Sequence, residues 1–230
     1  MIIYGAGLAG LLAAHMLRRF QPVVIEAQSS LPHNHTALLR FRSDLVSQAI
    51  GIPFREVQVY KSVKFHGAVH SQLTLPVANL YSYKVTGQLM ERSVVSLDPV
   101  LRYIAPFDLI AQMARNVTIE YGQTLQTVDQ IRDHIQQHQW IVSTIPMSVL
   151  MGIVQWPQTK MVFQFKGIWT VIARIVTPPV RLYQTIYYPE LEDPYYRASI
   201  TGDVLIIEHM QPVETVAMAE THVKAVLQDF

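Results

Sequence analysis

Gly5, Gly7 and Gly10 are spaced as Gly-x-Gly-x-x-Gly and are followed at Glu26 by a carboxylate, a pattern that implies phosphate and ribose chemistry. A tight turn at the first glycine, close approach at the second and close helix packing at the third present backbone N–H groups to a phosphate. A carboxylate at the end of the next strand accepts hydrogen bonds from adenosine ribose hydroxyls. It also repels a 2′-phosphate, which disfavours NADP. The spacing therefore places Gly5, Ala6, Gly7, Leu8, Ala9 and Gly10 around a dinucleotide diphosphate and Glu26 at its ribose. The fingerprint alone does not separate NAD from FAD.

Further candidates are scattered along the chain. Arg40 and Arg42 flank Phe41, and a guanidinium from either would make a charge-assisted contact to a pyrophosphate. Tyr81, Tyr83 and Lys84, in the run Asn79-Leu80-Tyr81-Ser82-Tyr83-Lys84, offer aromatic faces and a charge for a substrate wall; the same residues would serve equally as packing in a β-rich lobe. Arg197 suits a substrate carboxylate or phosphate, or else a pairing with Glu190, Glu192 or Asp193. His33-Asn34-His35 lies in a Pro-broken polar loop where a solvated role competes with phosphate contact or acid–base work. His66 and His70 are four apart, but the pattern around them is β-like and offers no third ligand, so no metal site is assigned. With no cysteine in the chain, thiolate nucleophiles, a flavin-disulfide relay and Cys-ligated zinc or iron–sulfur clusters are excluded.

The elements that must position these residues follow from patterning. An apolar strand over 1–5 enters the glycines, a helix covers 8–20, and a second strand over 22–27 carries Val23-Val24-Ile25-Glu26, which completes a βαβ unit. Residues 37–50 read as a helix, or as a strand followed by a helix. Alternation over 57–75 predicts antiparallel strands, and a helix is expected from Asp98-Pro99 through Ala114. Strands follow at Asn116–Tyr121 and Trp140–Thr144 with a polar helix at Val128–His138 between them. Further β-structure is expected at 163–176 and 182–188. A hairpin joins 195–199 to 204–208 around Thr201-Gly202-Asp203, and a last helix covers 213–227. The chain has 230 residues, 50% of them apolar and 15% charged, which suits a compact globule with little disorder. Its formal net charge of +1 gives no indication of a nucleic acid partner, though a local basic patch is compatible with one. No apolar run is long enough to span a bilayer, and the first strand begins at residue 1, so a cytoplasmic location is expected.

The order of a βαβ unit, an inserted β-rich segment and a return to the nucleotide unit resembles the FAD-dependent flavoproteins of the amine oxidase and UDP-galactopyranose mutase superfamily. The resemblance rests on Gly5–Gly10 with Val24-Ile25-Glu26-Ala27, on the strand from Asn116 to Gly122, on Trp140–Pro146 and on Pro194-Tyr195-Tyr196-Arg197. It implies FAD as cofactor, Glu26 and Ala27 at the adenosine ribose, Val117 and Thr118 along the adenine, and Thr144 and Pro146 lining the cofactor crevice. It implies an α/β fold: a Rossmann-like FAD-binding domain with a parallel sheet (1–56 and 98–150, with 200–230 returning to it) plus an inserted β-rich substrate domain (57–97 and 151–199). The activity implied is an FAD-dependent oxidoreductase in which the flavin accepts hydride from an amine or amino-acid-like substrate. Short flavin-type chains of this kind also resemble phage-encoded enzymes acting on amino-acid groups installed on DNA bases. A redox-neutral mutase-like flavoenzyme, a non-catalytic dinucleotide-binding subunit and a nicotinamide-dependent dehydrogenase are the alternatives, and a homo-oligomer is left open. Two family features are missing: an Arg-x-Gly-Gly segment after the ribose acid, where this chain has Leu39-Arg40-Phe41-Arg42-Ser43, and a Gly-Asp at a helix N-terminus, since Gly202-Asp203 reads as a hairpin turn. Catalytic residues are not readable from the sequence.

Overall fold

The computed structural model describes residues 1–31, 39–157, 167–176 and 182–230. In chain order its elements are β1 (Ile2–Tyr4), α1 (Leu8–Met16), β2 (Val23–Ile25), β3 (Arg40–Phe41), α2 (Leu45–Ile50), β4 (Arg55–Phe65), β5 (Ala68–His70) and α3 (Leu75–Thr86). There follow β6 (Val100–Ile104), α4 (Leu109–Ala114), β7 (Thr118–Glu120), α5 (Val128–Gln137), β8 (Ile141–Ser143) and α6 (Met147–Ile153). The chain ends with β9 (Trp169–Arg174), β10 (Leu182–Tyr187), β11 (Tyr195–Gly202), β12 (Val204–His209) and α7 (Val216–Leu227). The fold class is α/β, with one parallel and one mixed sheet. No helix among the described residues is long and apolar enough to cross a membrane.

The chain divides into two compact units, 1–55 with 103–165 and 56–102 with 166–230. The first carries a parallel sheet in the order β7-β2-β1-β8, with Ile3 opposite Val24 on one side and Val142 on the other. Ile3, Ala6, Ala14 and Val24 are buried together, and α1 also packs through Leu11 onto Leu109, Ile110 and Met113 of α4. Burying each of these larger side chains is worth about 1.5–3 kcal/mol, so the sheet and its covering helices are held chiefly by apolar contact. The helix α5 owes its start to a capping box, Thr127 accepting from the Gln130 backbone and Gln130 reaching back to the Thr127 backbone.

The second unit is built on a mixed sheet in which β4, β10, β11, β12 and β9 lie side by side, β4 and β10 parallel and the rest antiparallel, with β5 hairpinned onto β4. Ile186, Tyr188, Ala198, Ile200, Leu205, Ile207 and Val226 form its core.

Three expectations from sequence are corrected. Residues 200–230 belong to the second unit rather than the first: β12 is bonded between β11 and β9, and Val226 of α7 is buried in that sheet's core. Tyr81 and Tyr83 lie on a helix, not in β-structure, because Pro76 opens α3 and Gly87, at φ 77°, closes it, while Val77, Ala78, Tyr81 and Val85 supply a helical apolar stripe. The stretch after Asp98-Pro99 begins as strand β6, and helix forms only at Leu109–Ala114. The helix α6 begins just after Pro146, a position with no start signal in the sequence beyond that proline. Gly202, at φ 67°, is the turn of the β11–β12 hairpin, as the sequence suggests, and Asp203 there pairs with Arg174 at 2.9 Å.

Candidate functional site

The glycine turn is shaped by three different demands. Gly5 has φ +95°, a conformation that excludes a Cβ, and an added Cβ would lie 2.8 Å from Thr144 Oγ1. Gly10 has ordinary torsions, but a Cβ there would fall 1.8 Å from the Gly5 carbonyl oxygen, which fixes the contact of α1 with the turn. Gly7, the residue preceding α1, has φ −72°, and a Cβ on it would meet nothing within 4 Å. Neither torsion nor protein packing asks for a glycine at that position. The residue lines an open cavity.

That cavity has a volume of about 520 Å³ and lies at the carboxyl ends of the parallel strands. Gly5, Gly7, Leu8, Ala9, Glu26, Ala27, Thr144 and Pro146 all line it, so most of the residues singled out by sequence converge on one space. Ala6 is buried and Gly10 is packed against the turn, and both shape the wall from behind. No side chain caps α1, and its first N–H groups, which have no intrahelical partners, stand at the cavity edge with the positive end of the helix dipole.

Glu26 is 9% exposed and does more than wait for a ligand. Its Oε2 accepts from the Ala6 N–H at 2.7 Å and its Oε1 from the Gln28 N–H at 3.0 Å, so the carboxylate ties the glycine turn to the end of β2. Each carboxylate oxygen can accept more than one hydrogen bond, which leaves lone pairs for a hydroxyl. Thr144 works similarly: its backbone N–H and its hydroxyl both donate to the Tyr4 carbonyl, at 3.0 and 2.8 Å. Tyr4 itself is hydrogen-bonded through its hydroxyl to His134 Nδ1 at 2.8 Å, and burial pushes its pKa up.

Val117 and Thr118 are not in this cavity. They stand at the amino end of β7, where they border a smaller cavity with Ala14, Arg18 and Gln21, whereas the large cavity is at the carboxyl end. There Gln123, Thr124 and Leu125 take the place expected for Val117 and Thr118; the Gln123 N–H donates to the Glu26 carbonyl at 2.9 Å. The general placement of ligands beyond the carboxyl ends of parallel strands would have pointed to them. Val149 and Ile153 of α6 also line the cavity. Arg40 and Arg42 do not; Arg40 sits on β3 opposite Ile104. His33-Asn34-His35 lies outside the described residues.

Of the substrate-side candidates, Tyr81, Lys84 and Arg197 are each engaged by contacts within the second unit. Tyr81 is 3% exposed and packs edge-on against Tyr187, its pKa driven up by burial, while Tyr83 is exposed. Lys84 Nζ donates to three backbone carbonyls, those of Tyr188 at 2.9 Å, Tyr195 at 2.8 Å and Glu190, and so clasps the loop between β10 and β11. Burial pulls its pKa down to about 8 against the opposing pull of Asp193, Glu192 and Glu190. Arg197 pairs with none of the acids expected from sequence. It forms a bidentate ion pair with Glu208, directly across the β11–β12 ladder.

A parallel sheet, a glycine turn leaving its inner strand β1 and an acid closing the neighbouring strand β2 make the chain a Rossmann-type α/β protein with a second, mixed-sheet unit. Solved structures of similar fold extend over both units. One is reduced UDP-galactopyranose mutase, 14% identical with a TM-score of 0.61 over 99% of this chain and 78% of that one. Another is an oxidoreductase from Methanosarcina mazei, 10% identical, TM-score 0.57, covering 99% of this chain and 83% of that chain. A flavoprotein/dehydrogenase from Cytophaga hutchinsonii is 13% identical with a TM-score of 0.53 over 100% of this chain and 60% of its own length. No family model and no curated protein sequence matches the chain.

Proposed function

We propose that the chain is a flavoenzyme whose first unit binds the ADP half of FAD. The observation that carries this reading is Gly7, which lines the cavity beside the uncapped start of α1 and at which a Cβ would meet no protein atom within 4 Å. A diphosphate there receives the free N–H groups of Leu8 and Ala9 and the favourable end of the helix dipole. Glu26 takes the ribose hydroxyls, and the apolar wall of Leu125, Val149 and Ile153 suits the adenosine. A cavity of about 520 Å³ falls within the ordinary range for small-molecule sites. FAD is preferred to NAD because the likeness to a flavoprotein and to oxidoreductases runs through both units.

When bound, FAD supplies a hydride acceptor, and the protein supplies orientation and electrostatics. This chain's part is to hold the turn rigid through the Glu26–Ala6 and Thr144–Tyr4 hydrogen bonds, so that the phosphate-facing N–H groups are pre-aligned. An amine or amino-acid-like substrate is the oxidative reading, drawn from the motif resemblance. The likeness to UDP-galactopyranose mutase supports a second, redox-neutral reading with a nucleotide sugar as substrate. Titrating the purified chain with FAD, by quenching of flavin fluorescence, tests the cofactor; absence of saturable binding overturns the proposal. Bleaching of the bound flavin by a panel of amines under anaerobic conditions supports the oxidative reading. Turnover of a nucleotide sugar only after chemical pre-reduction supports the other.

A further inference from the structure

The second unit contains two histidines, one on the sheet and one on the helix that covers it, whose geometry the nucleotide site does not explain. His209, at the end of β12, is 1% exposed, and His222 comes from the middle of α7. Their rings stack at 5.0 Å with an interplanar angle of 29°, and the Tyr195 ring stands edge-on against both, at 5.9 and 5.7 Å. His209 is bonded to the Pro194 backbone carbonyl, while its Nε2 and the Nδ1 of His222 are buried with no hydrogen-bond partner. Apolar contact from Val223 and Val226 holds the same face of α7 to the sheet.

We propose that the His209–His222 stack is an acid-sensitive latch: neutral imidazoles seat α7 on the mixed sheet, and their protonation releases it. Two uncharged rings stack with no charge to desolvate and only a neutral nitrogen of each left unpartnered. One proton on either leaves a buried cation with no acceptor at its bare nitrogen, and a second puts two like charges one ring-stack apart.

The surrounding charges do not relieve this. Asp193, in the loop before β11, has a buried carboxylate oxygen without a partner, and burial raises its pKa, so it too tends toward neutrality in acid. Asp229, after α7, is committed to Lys64 of β4 at 3.0 Å and to the Tyr188 hydroxyl at 3.1 Å. Lys84 of α3 is held by backbone carbonyls, among them that of Tyr195. On β12 itself Glu208 is taken by Arg197, and on β9 Arg174 is taken by Asp203. Tyr195, pushed up to about 12, stays neutral throughout. Glu220 and Lys224, two residues to either side of His222, are exposed. No group of three residues that could hold a metal occurs among the described residues, so the pair does not read as a metal site.

The sign follows from burial. His209 is pushed down to about 4 in the seated state, by desolvation first and by His222 second, against about 6.5 when released. Seating is therefore full above about pH 6.5 and is lost progressively as the pH falls toward 4. For His209 alone this weakens the seating equilibrium roughly 30-fold between pH 7.5 and pH 5.

Hydrogen–deuterium exchange on the intact chain tests the latch. Protection factors for 216–227 should fall roughly 30-fold or more from pH 7.5 to pH 5, while those of β10 and β11 change little. In the double variant H209L/H222L the helix should keep its protection at both values. Protection of α7 that is unchanged by pH in the wild type, or lost equally in the double variant, overturns the proposal. Should the variant fail to fold, an NMR titration of the wild-type rings decides: a midpoint well below 6 for His209 supports the latch, and one at or above 6.5 overturns it.

Discussion

Replacing Gly7 by serine separates fold from ligand more cleanly than any other change in the turn. The backbone at this position, φ −72° and ψ −177°, is one that any residue adopts, and the new Cβ meets no protein atom within 4 Å. Serine is also a better helix N-cap than glycine by a few tenths of a kcal/mol, since its hydroxyl accepts from one of the free N–H groups at the start of α1. Stability should therefore be unchanged or slightly raised. Ligand binding should suffer twice, because the side chain occupies space beside the helix start and its oxygen claims a donor meant for phosphate. Losing one charge-assisted hydrogen bond costs about 1.5–3 kcal/mol, which corresponds to roughly a 10- to 150-fold rise in Kd. The assay pairs a thermal melt with an FAD titration on the same preparation. Wild-type affinity in Gly7→Ser would remove the diphosphate from α1 and with it the site described above.

Other expectations follow from the same geometry. Gly10→Ala places a Cβ 1.8 Å from the Gly5 carbonyl oxygen and should cost about 3 kcal/mol or more, read as a large fall in the urea midpoint or as insoluble protein. Glu26→Gln substitutes a donor for one of two acceptors facing the Ala6 and Gln28 N–H groups, so it should lose about 1–3 kcal/mol of stability and weaken FAD binding, whereas a ligand-only role would leave the melt untouched. Lys84→Met strips three backbone carbonyls of their donor and should lower stability by about 2–4 kcal/mol with no change in FAD affinity; reduced affinity at unchanged stability would return Lys84 to the ligand. Arg197→Leu should destabilise by about 3–5 kcal/mol, because it leaves the Glu208 carboxylate unpaired, and the double variant with Glu208→Leu should recover most of that loss in urea unfolding.

What could be read from the sequence was whatever is fixed locally. The turn from Gly5 to Gly10, the acid at Glu26 and the strands on either side of them depend on short-range torsion and spacing, and they converge on one cavity. Thr144 and Pro146 were reachable for the same reason, lying just beyond the end of a short apolar strand. Val117 and Thr118 fall at the amino end of β7, outside the large cavity, since an apolar run shows that a strand exists but not which of its ends faces that cavity. Gln123, Thr124 and Leu125 carry no chemical signature and are defined only by strand polarity. The run around Tyr81 falls in the segment 57–97 expected to be β-rich, and the helix is decided by Pro76, Gly87 and burial of one face. The partner of Arg197 was within reach: a hairpin turning at Gly202-Asp203, with Thr201 opposite Val204, sets Arg197 against Glu208. Lys84 was not, because its three acceptors lie about a hundred residues away and belong to the backbone.

Whether the cavity beside Gly7 takes FAD can be measured on the protein itself. The most direct test is the visible absorption spectrum of the purified full chain, incubated with FAD and desalted, followed by mass spectrometry of the ligand that heat releases. Flavin bands and one released FAD per chain are expected. A colourless protein that retains no FAD after incubation, or that retains NAD in its place, would contradict the FAD assignment.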